Sequence, residues 1–296
     1  MDRVIQTDTK IGVVAFSADS STLNGLADDG TIRLWDARSG APQKTVQWTK
    51  TDRRAATFSQ DGATIASSGP DRVIKLWDVK TGEMKRRLPS KAPWISAFAF
   101  SKDGRWLAAG GGDATIGLWE LASGSLKFTL ADGLGNAGAL AFSPDNQNLV
   151  SGYSDTNLRV WKTGTGKLER TIEDLQLMQF TLAYSPDGGM LASGGADRTI
   201  YLWDTRTWRM VRKLTGQPEM VERLVFSPDG KTLFCGGASE YAGPLPAQIR
   251  LWDVASGEVK RTGTTQHGVR SVAFSPDGKM MASADTSKTV TIWQLT

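Results

Sequence analysis

The 296-residue chain has one cysteine and one histidine. The lone thiol, Cys235, excludes an internal disulfide, and the lone imidazole, His267, excludes the multi-histidine clusters of most metal centres. No His, Cys or carboxylate spacing matches a metal-ligand pattern, and no Gly-x-Ser-x-Gly nucleophile elbow occurs. Catalysis is therefore disfavoured, and neither cofactor nor metal is expected. Long apolar runs are missing too: none approaches the ~20 residues that span a bilayer. The N-terminal Met1-Asp2-Arg3-Val4-Ile5-Gln6-Thr7-Asp8 lacks the apolar core of a signal peptide, so a soluble, cytoplasmic chain is expected. Charge of one sign is also scarce. Lys and Arg number 35 against 31 Asp and Glu, and no aromatic-and-basic module accompanies the small excess, which disfavours a nucleic-acid surface.

What the chain does have is a period. Seven aliphatic–tryptophan pairs recur: Leu34-Trp35, Leu76-Trp77, Leu118-Trp119, Val160-Trp161, Leu202-Trp203, Leu251-Trp252 and Ile292-Trp293. The first five tryptophans are 42 residues apart, and the last two intervals are 49 and 41. A turn motif runs in step, from Phe16-Ser17-Ala18-Asp19 to Tyr184-Ser185-Pro186-Asp187-Gly188, Phe226-Ser227-Pro228-Asp229-Gly230 and Phe274-Ser275-Pro276-Asp277-Gly278. Proline presets φ in such a turn and glycine accepts a positive φ. Short β-compatible runs flank each turn. An aspartate stands six residues before five of the tryptophans (Asp29, Asp71, Asp113, Asp155, Asp197), and a glycine five residues after five of them (Gly40, Gly82, Gly124, Gly166, Gly257). Each copy has room for four strands.

Four strands per repeat of about 42 residues, with Trp-Asp at Trp35-Asp36, Trp77-Asp78, Trp203-Asp204 and Trp252-Asp253, resembles the WD40 family of β-propellers over essentially the whole chain. The resemblance implies an all-β fold: one domain over residues 1–296, a seven-bladed β-propeller with four antiparallel strands per blade. Only Gln294, Leu295 and Thr296 follow the last tryptophan, so Arg3-Val4-Ile5-Gln6-Thr7 is expected to supply the missing outer strand of the last blade. The cationic segments Lys85-Arg86-Arg87, Lys167 with Arg170, Arg212-Lys213 and Lys260-Arg261 fall on outer strands, where positive charge discourages edge-to-edge aggregation.

Several copies break the pattern. The family often places a histidine before the first strand to bond the turn aspartate; Thr49, Lys91 and Gln217 stand at three of those positions, so stability is expected to lean on apolar packing between blades. His267 reads as an ordinary loop residue. Cys235, in register with Ser193 and Ser283, reads as a small packed residue. The sixth copy carries an insertion, Ser239-Glu240-Tyr241-Ala242-Gly243-Pro244-Leu245-Pro246, which is either a binding loop or a neutral extension. Trp208 replaces the turn glycine of the fifth copy; either it is an exposed contact on the wider face or the turn is remodelled and the ring folds onto the blade. Gly133-Leu134-Gly135-Asn136-Ala137-Gly138 matches a dinucleotide fingerprint literally. It lies between strands with no helix following, and Thr163-Gly164-Thr165-Gly166-Lys167 coincides with a repeated turn, so both are rejected.

By the same resemblance the chain is expected to act as a non-catalytic interaction scaffold, monomeric, for other proteins or peptides. Contacts are expected from positions six and four residues before each marker Phe or Tyr. These include Lys10, Asp52, Arg54, Trp94, Met178, Phe180, Met220, Glu222 and Arg270, with Tyr241 added from the insertion. Trp, Met, Phe and Arg are enriched in interface cores, although the apolar ones could instead pack between blades. A reader of modified or anionic peptides is the alternative, built from Arg53, Arg54 and Arg270 or from a cage of Trp94 and Phe180.

Overall fold

The computed structural model describes residues 2–48, 55–173, 175–237, 247–265 and 267–295. Arg54 and Tyr241, with Asp52, Arg53 and the insertion, lie outside these residues. The described residues form seven four-stranded antiparallel sheets, the blades of a β-propeller. Blades 1 to 6 cover 11–47, 55–89, 95–131, 137–172, 179–214 and 223–265, each with its strands in chain order. The seventh combines Val269–Phe274, Met280–Asp285 and Thr289–Gln294 with Arg3–Gln6 as outermost strand. The pairs Arg3↔Ile292, Val4↔Thr291, Ile5↔Val290 and Gln6↔Thr289 close the ring, as the sequence led one to expect.

The core lies between sheets rather than within any one of them. Ile11, Val14, Phe16, Leu23 and Trp35 of blade 1 interleave with Met280, Ala282, Ala284, Val290 and Ile292 of blade 7, and similar clusters fill the other junctions. Second strands are covered on both faces, so Trp106–Gly111 is buried throughout, whereas Pro42–Gln47 on the outside buries only Val46. First strands line a central channel. Val14 N–H donates to Ser271 Oγ (3.1 Å) and Leu224 N–H to Thr181 Oγ1 (3.2 Å), tying neighbouring first strands together.

The recurrent residues act as local fasteners. In blade 5, Ser185 Oγ donates to Asp187 Oδ1 (2.6 Å) and accepts from Met190 N–H (2.9 Å), holding the Ser-Pro-Asp-Gly turn shut. Tryptophan indoles donate to second-strand serines: Trp77 to Ser67 (2.9 Å), Trp161 to Ser151 (2.8 Å), Trp203 to Ser193 (3.1 Å) and Trp293 to Ser283 (3.0 Å). Cys235 occupies the serine register in blade 6. It is buried, burial pushes its thiol up to about 12, and the buried Trp252 Nε1 has no acceptor.

Two expectations are corrected. Apolar packing is not alone in replacing the absent histidine network, because four of the five turn aspartates find partners four residues along the chain. Asp29 pairs with Arg33 (2.9 Å), Asp71 with Lys75 (2.6 Å) and Asp155 with Arg159 (2.8 Å), while Tyr201 Oη donates to Asp197 (2.5 Å). On a strand, residues i and i+4 share a face, so the partner is reachable without a second element. At Trp208 the turn is not remodelled. The residue adopts φ +57, as Gly40 (φ +74) does in blade 1, and its N–H donates to Asp204 O (2.7 Å) as Gly40 N–H does to Asp36 O (2.8 Å). The ring is half-buried against the cluster of Tyr201 and Trp203, which removes it as an exposed contact.

Candidate functional site

Antiparallel order places the loops between blades and the loops between second and third strands on one face, here the upper face. In five copies the residue six before the marker is pinned there by its own carbonyl. Lys10 O accepts from Asp28 N–H (2.9 Å), Trp94 O from Gly112 N–H (3.3 Å) and Met178 O from Ala196 N–H (3.2 Å). With the backbone fixed, the side chains point outward. Trp94, Met178 and Met220 are 44%, 40% and 43% exposed, so none of them packs between blades. The Trp94 indole lies over Gly112, where a Cβ would come within 2.0 Å of Cζ2.

Residues four before the marker are placed by a different device. Pairing between first and second strands skips one residue in five blades, between Ile11/Val13, Ile95/Ala97, Ala137/Ala139, Gln179/Thr181 and Val269/Ser271. The skipped residues are Gly12, Ser96, Gly138, Phe180 and Arg270. A β-bulge re-aims the residue it leaves unpaired, and all five line the upper part of the channel, a cavity of about 270 Å³. Phe180 and Arg270 are half-buried there, and Glu222 is half-buried at the corresponding position of blade 6. The six-back and four-back positions thus form an outer rim and an inner ring.

Apolar and charged groups divide the face. The exposed apolar residues Trp94, Leu134, Leu177, Met178 and Met220 stand on the loops entering blades 3 to 6. Charge gathers across blades 6, 7 and 1: Arg270 pairs with Asp28 (2.7 Å), and Arg223 donates to Arg270 O (2.6 Å) and Glu222 O (2.7 Å). Leu134 and Leu177 were missed by counting back six and four, since they lie eight and seven residues before Phe142 and Tyr184 on longer loops. The one available signal was an exposed-loop leucine. Leu134 is held out by its N–H, which donates to Asp155 Oδ2 (3.1 Å), while Gly133 lies against the Tyr153 ring.

Aromatic and aliphatic side chains share the channel below with Thr57, Gln60, Lys102 and Ser185. Phe58, Phe98, Phe100, Leu140, Phe142, Leu182 and Tyr184 are among the residues around a lower cavity of about 430 Å³. Among the described residues no group of three His, Cys, Asp or Glu side chains could hold a metal. His267 sits in the loop before blade 7, where its carbonyl accepts from Thr265 Oγ1 (2.7 Å). Trp94 stands in the loop entering blade 3 and Phe180 on the first strand of blade 5, with blade 4 between them, and the two rings make no direct contact.

Compared with known proteins, the chain matches the family model described as WD domain, G-beta repeat over residues 4–36, 42–78, 82–120, 132–162, 179–204 and 257–294. The unmatched stretch 205–256 contains three strands of blade 6, the copy with the insertion and without the turn aspartate. No curated protein matches the chain significantly.

Proposed function

Because the chain belongs to the WD40 repeat family, whose propellers generally mediate protein interactions, we propose that it is a non-catalytic scaffold that binds a protein partner on its upper face. The observation that carries this reading is the apolar rim of Trp94, Leu134, Leu177, Met178 and Met220. Large apolar side chains left exposed together on one face are a mark of a protein-binding surface. Tryptophan and methionine are enriched in interface cores, and Trp94 rests on a fixed backbone, so little ordering entropy is lost on binding. The charged sector of Asp28, Glu222, Arg223 and Arg270 supplies the polar border and orients the partner.

The test is affinity purification from native lysate with the wild-type chain and with Trp94→Ala/Met178→Ala/Met220→Ala, all three surface positions that leave the core intact. The triple variant is expected to fold and to lose a partner that the wild type retains. Full retention of every partner refutes the reading. The affinity of the recovered partner is expected to change little between low and high salt; a steep fall would instead favour an anionic peptide bound at the arginines.

A further inference from the structure

The central channel carries charge of one sign, although Lys and Arg (35) nearly balance Asp and Glu (31) over the whole chain. Its upper and lower cavities share Thr57, Phe98, Leu140 and Leu182, so the two meet in one bore. Arg223 and Arg270 line the upper part and Lys102 the lower, and among the described residues no Asp or Glu lines either. The carboxylates adjacent in sequence to Gln60, Lys102 and Pro144 of the lower lining are held by their own turns. Ser59 Oγ donates to Asp61 (2.5 Å), Ser101 Oγ to Asp103 (2.6 Å) and Ser143 Oγ to Asp145 (2.5 Å). A cleft lined by one sign of charge between low-dielectric walls concentrates ions of the opposite sign.

Only the lower part has the dimensions of a ligand site. Its volume of about 430 Å³ lies within the ~300–1,000 Å³ range of small-molecule clefts, and the upper 270 Å³ falls short of it. The lining comes from first strands and turns of blades 2 to 6. Phe98, Phe142 and Tyr184 are half-buried there, each packed into the cluster that joins its blade to the one before. The rings are therefore fixed walls. Polar groups are few: Ser185 Oγ is already engaged by Asp187 (2.6 Å), whereas Gln60 and Lys102 are exposed. Lys102 is set at the lower mouth by its backbone, whose N–H donates to Asn146 Oδ1 (2.8 Å) and so ties the turn of blade 3 to blade 4. Apolar walls with one cation at the mouth suit an anion carried on an apolar body.

We propose that the lower channel binds a small amphipathic monoanion, an aromatic or alkyl carboxylate or sulfonate. Its body lies between Phe98, Phe142 and Tyr184, and its charge rests on Lys102. The site opens on the face opposite the apolar rim and stands independently of the partner proposed there. The probe is the dye anilinonaphthalene sulfonate, titrated into the full chain while its fluorescence is followed. Saturable binding is expected in the wild type. Lys102→Met, a change at an exposed position, should weaken it by about tenfold, as loss of a charged donor implies. The uncharged analogue N-phenylnaphthylamine should bind the wild type and Lys102→Met alike. Ala141→Leu, which adds bulk to the wall of the bore and is checked for folding by its Tm, should abolish binding of both dyes. Trp94→Ala/Met178→Ala/Met220→Ala should bind the sulfonate as the wild type does. No saturable signal, equal binding of the sulfonate by Lys102→Met, undiminished binding by folded Ala141→Leu, or loss of binding in the rim variant overturns the proposal.

Discussion

Replacing Cys235 with serine should stabilise the propeller, an outcome set by one unsatisfied atom. Four blades supply a serine hydroxyl to the tryptophan indole at 2.8–3.1 Å, whereas in blade 6 the buried Trp252 Nε1 has no acceptor. The strand register matches that of blade 5: Leu233 faces Trp252 as Leu191 faces Trp203, and Cys235 faces Arg250 as Ser193 faces Tyr201. A hydroxyl introduced by Cys235→Ser therefore arrives where Ser193 Oγ sits relative to Trp203. A buried donor left unpaired costs about 1–3 kcal/mol, and a hydrogen bond contributes about 0.5–1.5 kcal/mol net. Burying a hydroxyl instead of a thiol offsets part of the gain, unless the new group also donates to Arg250 O as Ser151 Oγ does to Arg159 O (3.5 Å). A net gain of about 1 kcal/mol is expected, which in a chain of this size raises Tm by about 2 °C. Calorimetry and urea denaturation measure it, and the Trp252 indole proton should shift downfield. Ser193→Cys should lower stability by a similar amount by leaving Trp203 unpaired. A Cys235→Ser variant no more stable than wild type, together with an unaffected Ser193→Cys, would refute the reasoning.

Other perturbations test the remaining joints. Trp208→Gly removes a left-handed conformation that costs a non-glycine residue about 1–2 kcal/mol, but it also loses about half of the ~3–5 kcal/mol that a fully buried aromatic contributes. A net loss of about 1 kcal/mol in denaturant titration is expected; a gain would mean that the ring packing is negligible. Deleting residues 2–8 removes a four-rung strand and the packing of Ile5, about 1 kcal/mol per ladder bond, so Tm should fall by about 10 °C. An unchanged Tm would contradict closure by this strand. In acid, the turn carboxylates govern stability. Hydrogen bonds from the turn serines hold Asp187, Asp229 and Asp277 below the usual carboxylate range, and Ser17 with Ser21 brings Asp19 to about 2. A depressed folded-state pKa gives stability that is present above the unfolded value of about 3.9 and lost as pH falls through the folded value. Urea midpoints should therefore decline between about pH 4 and pH 2, and Ser185→Ala should flatten part of that decline; a midpoint that rises with acid would contradict the sign.

The fold was largely legible because each blade repeats one solution. Tryptophan, Ser-Pro-Asp-Gly and the turn glycine recur in most copies because the same packing and the same positive φ recur, with Trp208, Ser20 and Asn146 adopting that φ without glycine, and the shortfall after Trp293 pointed to Arg3–Gln6. The substitutes for the histidine network were less visible, since Arg33, Lys75, Arg159 and Tyr201 share a position but not a residue type. The same holds for the outer-strand cations Arg3, Lys44, Arg86 and Arg212, which donate to backbone carbonyls of the next blade (Arg38, Lys80, Ala122 and Ala255) that any residue could provide. At the upper face, register alone found Trp94, Met178 and Met220. It could not show that bulges turn Phe180 and Arg270 toward the channel, and it passed over Leu134 and Leu177 because loop length varies where no packing constrains it.

The central claim is that the upper face, rather than the outer strands, receives the partner. A photo-crosslinking amino acid placed in turn at Met220 on the apolar rim and at Val211, 58% exposed on the outer strand of blade 5, tests it directly in native lysate. A discrete, saturable crosslinked species from position 220 and none from position 211 is the predicted result. Crosslinking from 211 alone, or equally from both, would contradict the account.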